Sequence, residues 1–215
     1  MHKVLEIELI NNSLFNIILE KKDLIFKAGH HFSISLPRLM INREYSSYSS
    51  EDDNTISFHI RLVKDGILTN QLINLKKGDL IDIHGPFGNF LLNSYFQELD
   101  KIICISSGTG VAPFISMVKS YQGIKFELIH GIREEEDIFD DLFLFDKTNI
   151  CISRSQNTKH FHGRVTSFLL KNLDYFQSNW GYFICGNSEM INDVIDILNE
   201  KLHVNNNNIL IESFF

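Results

Sequence analysis

The chain has 215 residues, 44% hydrophobic and 12% aromatic, which is enough apolar material for one large or two small cores and too much for a disordered segment. Its formal net charge is −7, acidic residues gather at Glu134-Glu135-Glu136-Asp137 and Asp140-Asp141, and no Lys/Arg run exceeds two residues, so neither nucleic acid nor an anionic membrane is expected as a partner. Three cysteines with no C-x-x-C spacing argue against a disulfide framework or an iron-sulfur cluster. With no long uncharged apolar span and no apolar leader after Met1, a reducing, cytoplasmic setting is expected.

In the first half, β-rich or alternating runs at residues 3–10, 14–19, 31–36, 55–62 and 80–84 are separated by Asn-Asn, Lys-Lys-Asp, Ala-Gly and Glu-Asp-Asp-Asn turns. They predict a small antiparallel barrel, interrupted by a short helix over 68–75. Within this half stands Arg43-Glu44-Tyr45-Ser46. At strand spacing, Arg43 and Tyr45 share one face, with Ser46 on the other. A guanidinium grips phosphate oxygens, a phenol ring stacks on a flat π-system and a hydroxyl meets a ring nitrogen, which together are the demands of a flavin nucleotide. An exposed strand with a surface Arg and a half-buried Tyr satisfies the same four residues. The hydroxyl-rich continuation Ser46-Ser47-Tyr48-Ser49-Ser50 tips the reading toward a ligand wall, since it makes a poor core strand. Gly66-Ile67-Leu68-Thr69 opens the helix with backbone N–H groups and a hydroxyl suited to a second phosphate contact, although Thr69 could equally cap the helix.

After residue 100 the rhythm changes. Apolar strands at 102–105, 126–130, 150–153, 181–185 and 209–211 alternate with helical spacing over 111–121, 134–145, 165–171 and 188–202. That pattern predicts a doubly wound parallel sheet, with the boundary near 94–100. The turn Ser107-Gly108-Thr109-Gly110 lets backbone approach a pyrophosphate without a Cβ in the way, and Pro113 is tolerated in the first turn of the following helix. Two cofactors held face to face are therefore expected. His30-His31 and His160-Phe161-His162 lack accompanying cysteines or carboxylates, so no metal site is expected.

Six segments in order make the chain resemble the ferredoxin-NADP reductase superfamily over nearly its whole length: Arg43-Glu44-Tyr45-Ser46, Gly66-Ile67-Leu68-Thr69, Gly85-Pro86-Phe87-Gly88-Asn89-Phe90, Gly108-Thr109-Gly110-Val111-Ala112-Pro113-Phe114, Cys185-Gly186 with Met190, and Glu212-Ser213-Phe214-Phe215. The likeness is greatest to the bacterial-type ferredoxin/flavodoxin-NADP reductases. It implies two domains: an N-terminal antiparallel Greek-key β-barrel binding FAD over residues 1–96, then an α/β doubly wound parallel sheet binding NADP over 97–215.

By the same resemblance Arg43 binds the flavin phosphate, Tyr45 stacks on the isoalloxazine and Ser46 hydrogen-bonds its N5, with Gly66, Leu68 and Thr69 adding a second flavin contact. Gly85-Pro86 forms a structural turn below the flavin. Gly108, Thr109, Gly110 and Pro113 receive the pyridine nucleotide, Ser153-Arg154 grips the 2′-phosphate and so favours NADPH over NADH, and Cys185, Gly186 and Met190 lie near the nicotinamide. Ser46, Cys185 and Glu212 are the implied catalytic residues around the hydride path. The chain departs from the family ending in having Phe where Tyr is usual and a second aromatic after it, so Phe214 or Phe215 covers the flavin.

The implied activity passes hydride from NADPH to flavin and single electrons to ferredoxin or flavodoxin, the protein acting as a monomer. Lys21-Lys22, Arg38 and Lys76-Lys77 are the candidate cations for an acidic carrier. The alternatives are a reductase for free flavin or for an oxygenase, and a non-enzymatic electron-transfer subunit.

Overall fold

The computed structural model describes residues 1–37, 39–155 and 158–214, so Arg38 and Phe215 lie outside the described residues. The chain divides into two units, one of residues 1–91 with 112–120, the other of 92–111 with 121–215.

The first unit contains strands β1 (His2–Asn11), β2 (Leu14–Glu20), β3 (His31–Ser35), β4 (Asn42–Ser46) and β5 (Thr55–Arg61), helix α1 (Ile67–Leu72) and strand β6 (Leu80–Phe87). The strand order is β4-β3-β6-β1-β2-β5, every neighbour antiparallel. A bridge between Ser47 and Phe58 joins the two edge strands and closes the sheet into a barrel. The links from β2 to β3 and from β5 to β6 skip neighbouring strands, the Greek-key pattern. Period-two alternation sends Phe15, Ile17 and Leu19 of β2, Phe32 and Ile34 of β3, and Ile56, Phe58 and Ile60 of β5 into one core.

Gly85-Pro86 is not a turn after the strand, as the sequence suggested, but lies inside β6. His31 pairs with Phe87 and Ser33 with His84, so β6 carries one extra residue there. Such a bulge accommodates a proline that has no N–H for the ladder. A Cβ on Gly85 would stand 2.6 Å from the Phe32 ring, so bare backbone is needed at this position.

The second unit begins with helix α2 (Ser94–Gln97) and strand β7 (Ile102–Ser107). After a 3-10 turn at Gly108–Val111 comes helix α3 (Ala112–Ser120), which belongs to the first unit. The second unit resumes with strands β8 (Phe126–Ile132), β9 (Lys147–Ile152) and β10 (Phe161–His162), helix α4 (Val165–Lys171), strand β11 (Gly181–Asn187), helix α5 (Ser188–Glu200) and strand β12 (Ile209–Phe214). The order is β10-β9-β8-β7-β11-β12, all parallel. The chain winds outward from β7 through β8 and β9, then returns to lay β11 on β7's other side, which puts the switch point between β7 and β11. Residues 102–106 are buried throughout, which accounts for the uninterrupted apolar run. In α5 the buried set Met190, Ile191, Val194, Ile197 and Leu198 follows the helical period, and the Asn187 side chain caps it by accepting from the Met190 N–H at 2.9 Å.

The helix expected over 134–145 does not form. Two 3-10 turns, Glu135–Asp137 and Asp140–Phe143, are separated by Ile138 and Phe139 in extended conformation. A continuous helix would set Glu136 against Asp140 and Asp137 against Asp141 at i, i+4, where like charges repel. The apolar spacing is satisfied instead by burial of Leu142 and Phe145. Among the described residues no helix is long and apolar enough to cross a membrane.

Candidate functional site

In the first unit the three chemical groups of Arg43-Glu44-Tyr45-Ser46 sit on β4. Arg43 pairs with Ile34 and Tyr45 with Phe32, so both share a sheet face, while Ser46 pairs with His31 on the other. Arg43 is exposed and its Nη1 donates to the Asn42 carbonyl at 2.7 Å. Tyr45 is half-buried against the barrel core, and burial, opposed by the Arg43 cation, pushes its phenol up to about 12. Burial thus favours the neutral phenol. Ser46 is buried. An exposed cation, a neutral aromatic face and a buried hydroxyl within four residues fit the phosphate, ring and ring nitrogen of a flavin nucleotide.

At α1, Gly66 is the N-cap residue, and a Cβ there would meet the Thr69 Oγ1 and the Val63 Cβ, each at 2.9 Å. Leu68 and Thr69 are buried, and Thr69 Oγ1 accepts from the Val63 N–H at 3.1 Å. That oxygen closes the turn before the helix, leaving the hydroxyl proton as the group with which Thr69 can meet a ligand.

The serine-rich stretch is not the open ligand wall that its composition suggested. Ser47, Ser49 and Ser50 are buried and bonded within the protein, to Ser116, to the Ser57 N–H and to Ser120 respectively. The hydroxyls of Ser47 and Ser50 are satisfied by a helix that also carries serines, and that of Ser49 by the neighbouring strand β5.

In the second unit the glycine turn and the Cys185 segment meet at the switch point between β7 and β11. Gly108 has φ +55° and open space where a Cβ would be, with Thr109 beside it half-buried. Gly110 is the opposite case: a Cβ would collide with the Cys185 carbonyl oxygen and stand 3.0 Å from the Gly186 Cα. Gly186, at φ +153°, is pressed in turn against Ser107 and against Met190, whose Cε would lie 2.8 Å from a Cβ. Asn187 Nδ2 donates to Ser107 Oγ at 3.1 Å. A bare-backbone pocket at the carboxyl ends of two parallel strands, followed by the first turn of a helix, is suited to a pyrophosphate. Pro113 is buried in that first turn.

Parallel pairing sets Cys185 opposite Glu212 and Asn187 opposite Phe214. Cys185 is fully buried, and burial, reinforced by the Glu212 carboxylate, holds its thiol well above the ordinary value. It remains a thiol and is no covalent nucleophile. Glu212 and Phe214 are half-buried.

Ser153 and Arg154 follow β9 and are exposed. The sheet does not bring them against the glycine turn, since β9 is two strands from β7, roughly 10 Å at the usual strand spacing.

Sequence reasoning missed two further cations at this edge. The Arg154 N–H donates to the Arg133 carbonyl at 3.1 Å, Arg133 follows β8, and Arg164 follows β10. Three arginines thus succeed the ends of three adjacent strands, a placement that only the strand order reveals. The available signal was the position of each Arg just beyond an apolar or aromatic run. Arg164 Nη1 lies 3.5 Å from Glu189 Oε1, both side chains being exposed. Sequence also gave no warning of the buried pair Ser106 Oγ and His130 Nδ1, 2.8 Å apart on β7 and β8. Among the described residues no three metal-ligating side chains converge.

Residues 4–91 match the family of oxidoreductase FAD-binding domains, and residues 104–196 match the oxidoreductase NAD-binding domains. A flavodoxin/ferredoxin-NADP reductase of Buchnera aphidicola subsp. Baizongia pistaciae is 28% identical over 230 residues, covering 94% of this chain and 92% of that one. A probable dihydroorotate dehydrogenase B (NAD(+)) electron transfer subunit of Methanocaldococcus jannaschii is 31% identical over 186 residues, 83% of this chain and 65% of its own length. Among solved structures, a ferredoxin NADP+ reductase from Neisseria gonorrhoeae with bound FAD and NADP superposes with a TM-score of 0.86 at 24% identity, covering 100% of this chain and 98% of that one. With a flavin-type site on its barrel and a nucleotide-type site on its parallel sheet, the chain belongs to the ferredoxin-NADP reductase superfamily, as an FAD-containing oxidoreductase acting on NAD(P)H.

Proposed function

We propose that this protein is a monomeric, cytoplasmic NADPH oxidoreductase that serves ferredoxin or flavodoxin, with residues 1–96 as its flavin domain and 97–215 as its NADP domain. The observation that carries this reading is the switch-point pocket, where Gly108 leaves space, Gly110 is bare because the Cys185–Gly186 backbone fills the place of its side chain, and Gly186 is bare because Ser107 and the Met190 side chain fill the place of its own. When bound, the flavin supplies the redox chemistry, taking up a hydride and giving electrons back singly. The chain's residues bind and orient. Arg43 holds a flavin phosphate, Tyr45 stacks on the ring system, Ser46 orients it through a hydrogen bond, and Gly66, Leu68 and Thr69 support the phosphates. Gly108, Thr109, Gly110 and Pro113 receive the coenzyme pyrophosphate. Ser153 and Arg154, with Arg133 and Arg164, take the 2′-phosphate and so select NADPH. Cys185, Gly186, Met190 and Glu212 line the nicotinamide side, and Phe214 or Phe215 covers the flavin face.

For the carrier, Lys76 and Lys77 are exposed, whereas Lys21 donates to the Glu51 and Asp53 carbonyls and Lys22 to that of Met1. The purified protein should be yellow, release FAD on denaturation, and be reduced anaerobically by NADPH more readily than by NADH. A colourless protein that refuses added FAD overturns the reading.

A second reading, an electron-transfer subunit of a larger enzyme, is favoured by the identity to the M. jannaschii protein. Turnover of NADPH with a soluble carrier by the isolated chain excludes it.

A further inference from the structure

Helix α3 carries two serines one turn apart, Ser116 and Ser120, and both belong to a hydrogen-bond ladder along the segment that follows Ser46. Ser116 is fully buried and its Oγ donates to the Ser49 carbonyl at 2.6 Å. Its single proton being committed there, the contact at 3.3 Å between Ser47 Oγ and Ser116 Oγ must run from Ser47 to Ser116. Ser120 repeats the arrangement: its Oγ donates to the Ser116 carbonyl at 2.7 Å and accepts from the Glu51 N–H at 3.0 Å and from Ser50 Oγ at 3.1 Å. On the other side the barrel holds the same segment. The Ser47 N–H donates to the His30 carbonyl at 2.9 Å, the Tyr48 N–H to the Ser57 carbonyl at 2.8 Å, and the Ser57 N–H to Ser49 Oγ at 3.1 Å. Every donor direction is thus determined, and residues 47–51 are gripped from two sides. The grip begins one residue after Ser46.

We propose that Ser116 is a positioning residue for the flavin: by fixing residues 47 and 49 it sets where the Ser46 hydroxyl stands. This rests on the assignment of Ser46 to the flavin made above. Ser116 itself touches residues 47 and 49 rather than the cofactor. A hydroxyl is required because Ser49's carbonyl and Ser47's O–H both lie in a dry environment, where neither finds water in place of Ser116. Ser120 does the same for residues 50 and 51, farther along the chain from Ser46. Position and stability can therefore be separated by removing a serine hydroxyl at each of two rungs.

The test uses the full-length flavoprotein and five variants: Ser46→Ala, Ser116→Ala, Ser116→Thr, Ser120→Ala and Ser47→Ala. Thermal unfolding, the visible flavin spectrum and midpoint potential, and the single-turnover rate of flavin reduction by NADPH are measured for each. Ser116→Ala is expected to slow reduction roughly 10- to 100-fold, the effect of displacing a group by less than about 1 Å, and to shift the flavin spectrum and potential in the direction seen for Ser46→Ala. Ser120→Ala is expected to lower the unfolding temperature comparably while keeping the wild-type spectrum and rate. Ser116→Thr, which keeps the hydroxyl, should restore both.

If Ser46→Ala changes spectrum and rate but Ser116→Ala and Ser120→Ala lower stability alike and leave both readouts at wild type, the ladder is purely structural and the proposal fails. If Ser46→Ala itself has no effect, the flavin assignment of Ser46 fails first. Should Ser116→Ala not fold, Ser47→Ala decides: it removes one rung and leaves the Ser116 to Ser49 bond, so a spectral shift toward that of Ser46→Ala supports the proposal and a wild-type spectrum overturns it.

Discussion

Gly110 and Cys185 meet backbone to backbone, so closely that a Cβ on Gly110 would collide with the Cys185 carbonyl oxygen and lie 2.8 Å from its carbon. The turn after β7 and the end of β11 are therefore a single packed unit, and Gly108, only two residues earlier, faces open space.

Those two glycines should respond differently to the same change. Gly110→Ala must push apart two pieces of rigid backbone and should cost about 1–3 kcal/mol of stability, as overpacking does. Gly108→Ala meets no atom and bears only the left-handed conformation, a cost of about 1 kcal/mol, yet its methyl should weaken coenzyme binding tenfold or more, roughly 1.4 kcal/mol. Denaturant unfolding and NADPH titration check both. Unchanged NADPH affinity in Gly108→Ala would remove that space as the phosphate cradle.

Coenzyme choice should follow the carboxyl edge of β8, β9 and β10. Arg154→Ala is expected to weaken NADPH binding by about 1.5–3 kcal/mol, the worth of a charged hydrogen bond, and to spare NADH. Arg133→Ala should act in the same direction, because it removes an exposed cation that follows the neighbouring strand and whose residue is joined to Arg154 by a backbone hydrogen bond. Equal losses for the two coenzymes would separate both arginines from the 2′-phosphate.

At the opposite edge of the same sheet, Lys101 Nζ donates to Glu127 Oε1 at 2.6 Å and lies 4.2 Å from the centre of the Trp180 ring, while the Tyr175 hydroxyl donates to Glu127 at 2.6–2.7 Å. Glu127 is buried, so Lys101→Met should leave an uncompensated carboxylate and cost about 3–5 kcal/mol, measured by denaturant unfolding. Burial alone would lower the Lys101 pKa, but its hydrogen bonds to Glu127 and Tyr175 outweigh it and leave it raised above 10.5. The pair's stabilisation should accordingly be complete below pH 10.5 and fade as pH rises through the raised value. A loss under about 1 kcal/mol in Lys101→Met would reduce the cluster to a surface ion pair.

Thiol chemistry gives a direct check on burial. Cys104, Cys151 and Cys185 are all buried, and burial raises each thiol, Cys151 to about 12. The native protein should titrate no thiol with a disulfide reagent at pH 8, and unfolded protein should titrate three. Rapid modification of one native thiol would mean that the strands around it open readily.

Much of this molecule was legible in the residues. The period-two runs of β2, β3 and β5 and the apolar run of β7 reported strands because a side chain's face is set by local backbone geometry. Arg43, Tyr45 and Ser46 lie on one strand, and Gly108 and Gly110 in one turn, so their placement relative to one another could be read from spacing alone. Other features escaped because they join residues distant in the chain. Periodicity over 134–145 marked an apolar face but not the repulsion that divides the segment into two turns. The serines after Ser46 announced polarity, and only the packing of α3 determined that the hydroxyls of Ser47 and Ser50 bond to Ser116 and Ser120 rather than to a ligand. Arg133, Arg154 and Arg164 came to follow adjacent strands through the strand order, and Gly110 was required by Cys185 through the pairing of β7 with β11. Local sequence determines which face of an element is apolar and which turn it can make. What covers that face, and which distant donor satisfies a buried hydroxyl, is decided by tertiary contacts that no window of residues contains.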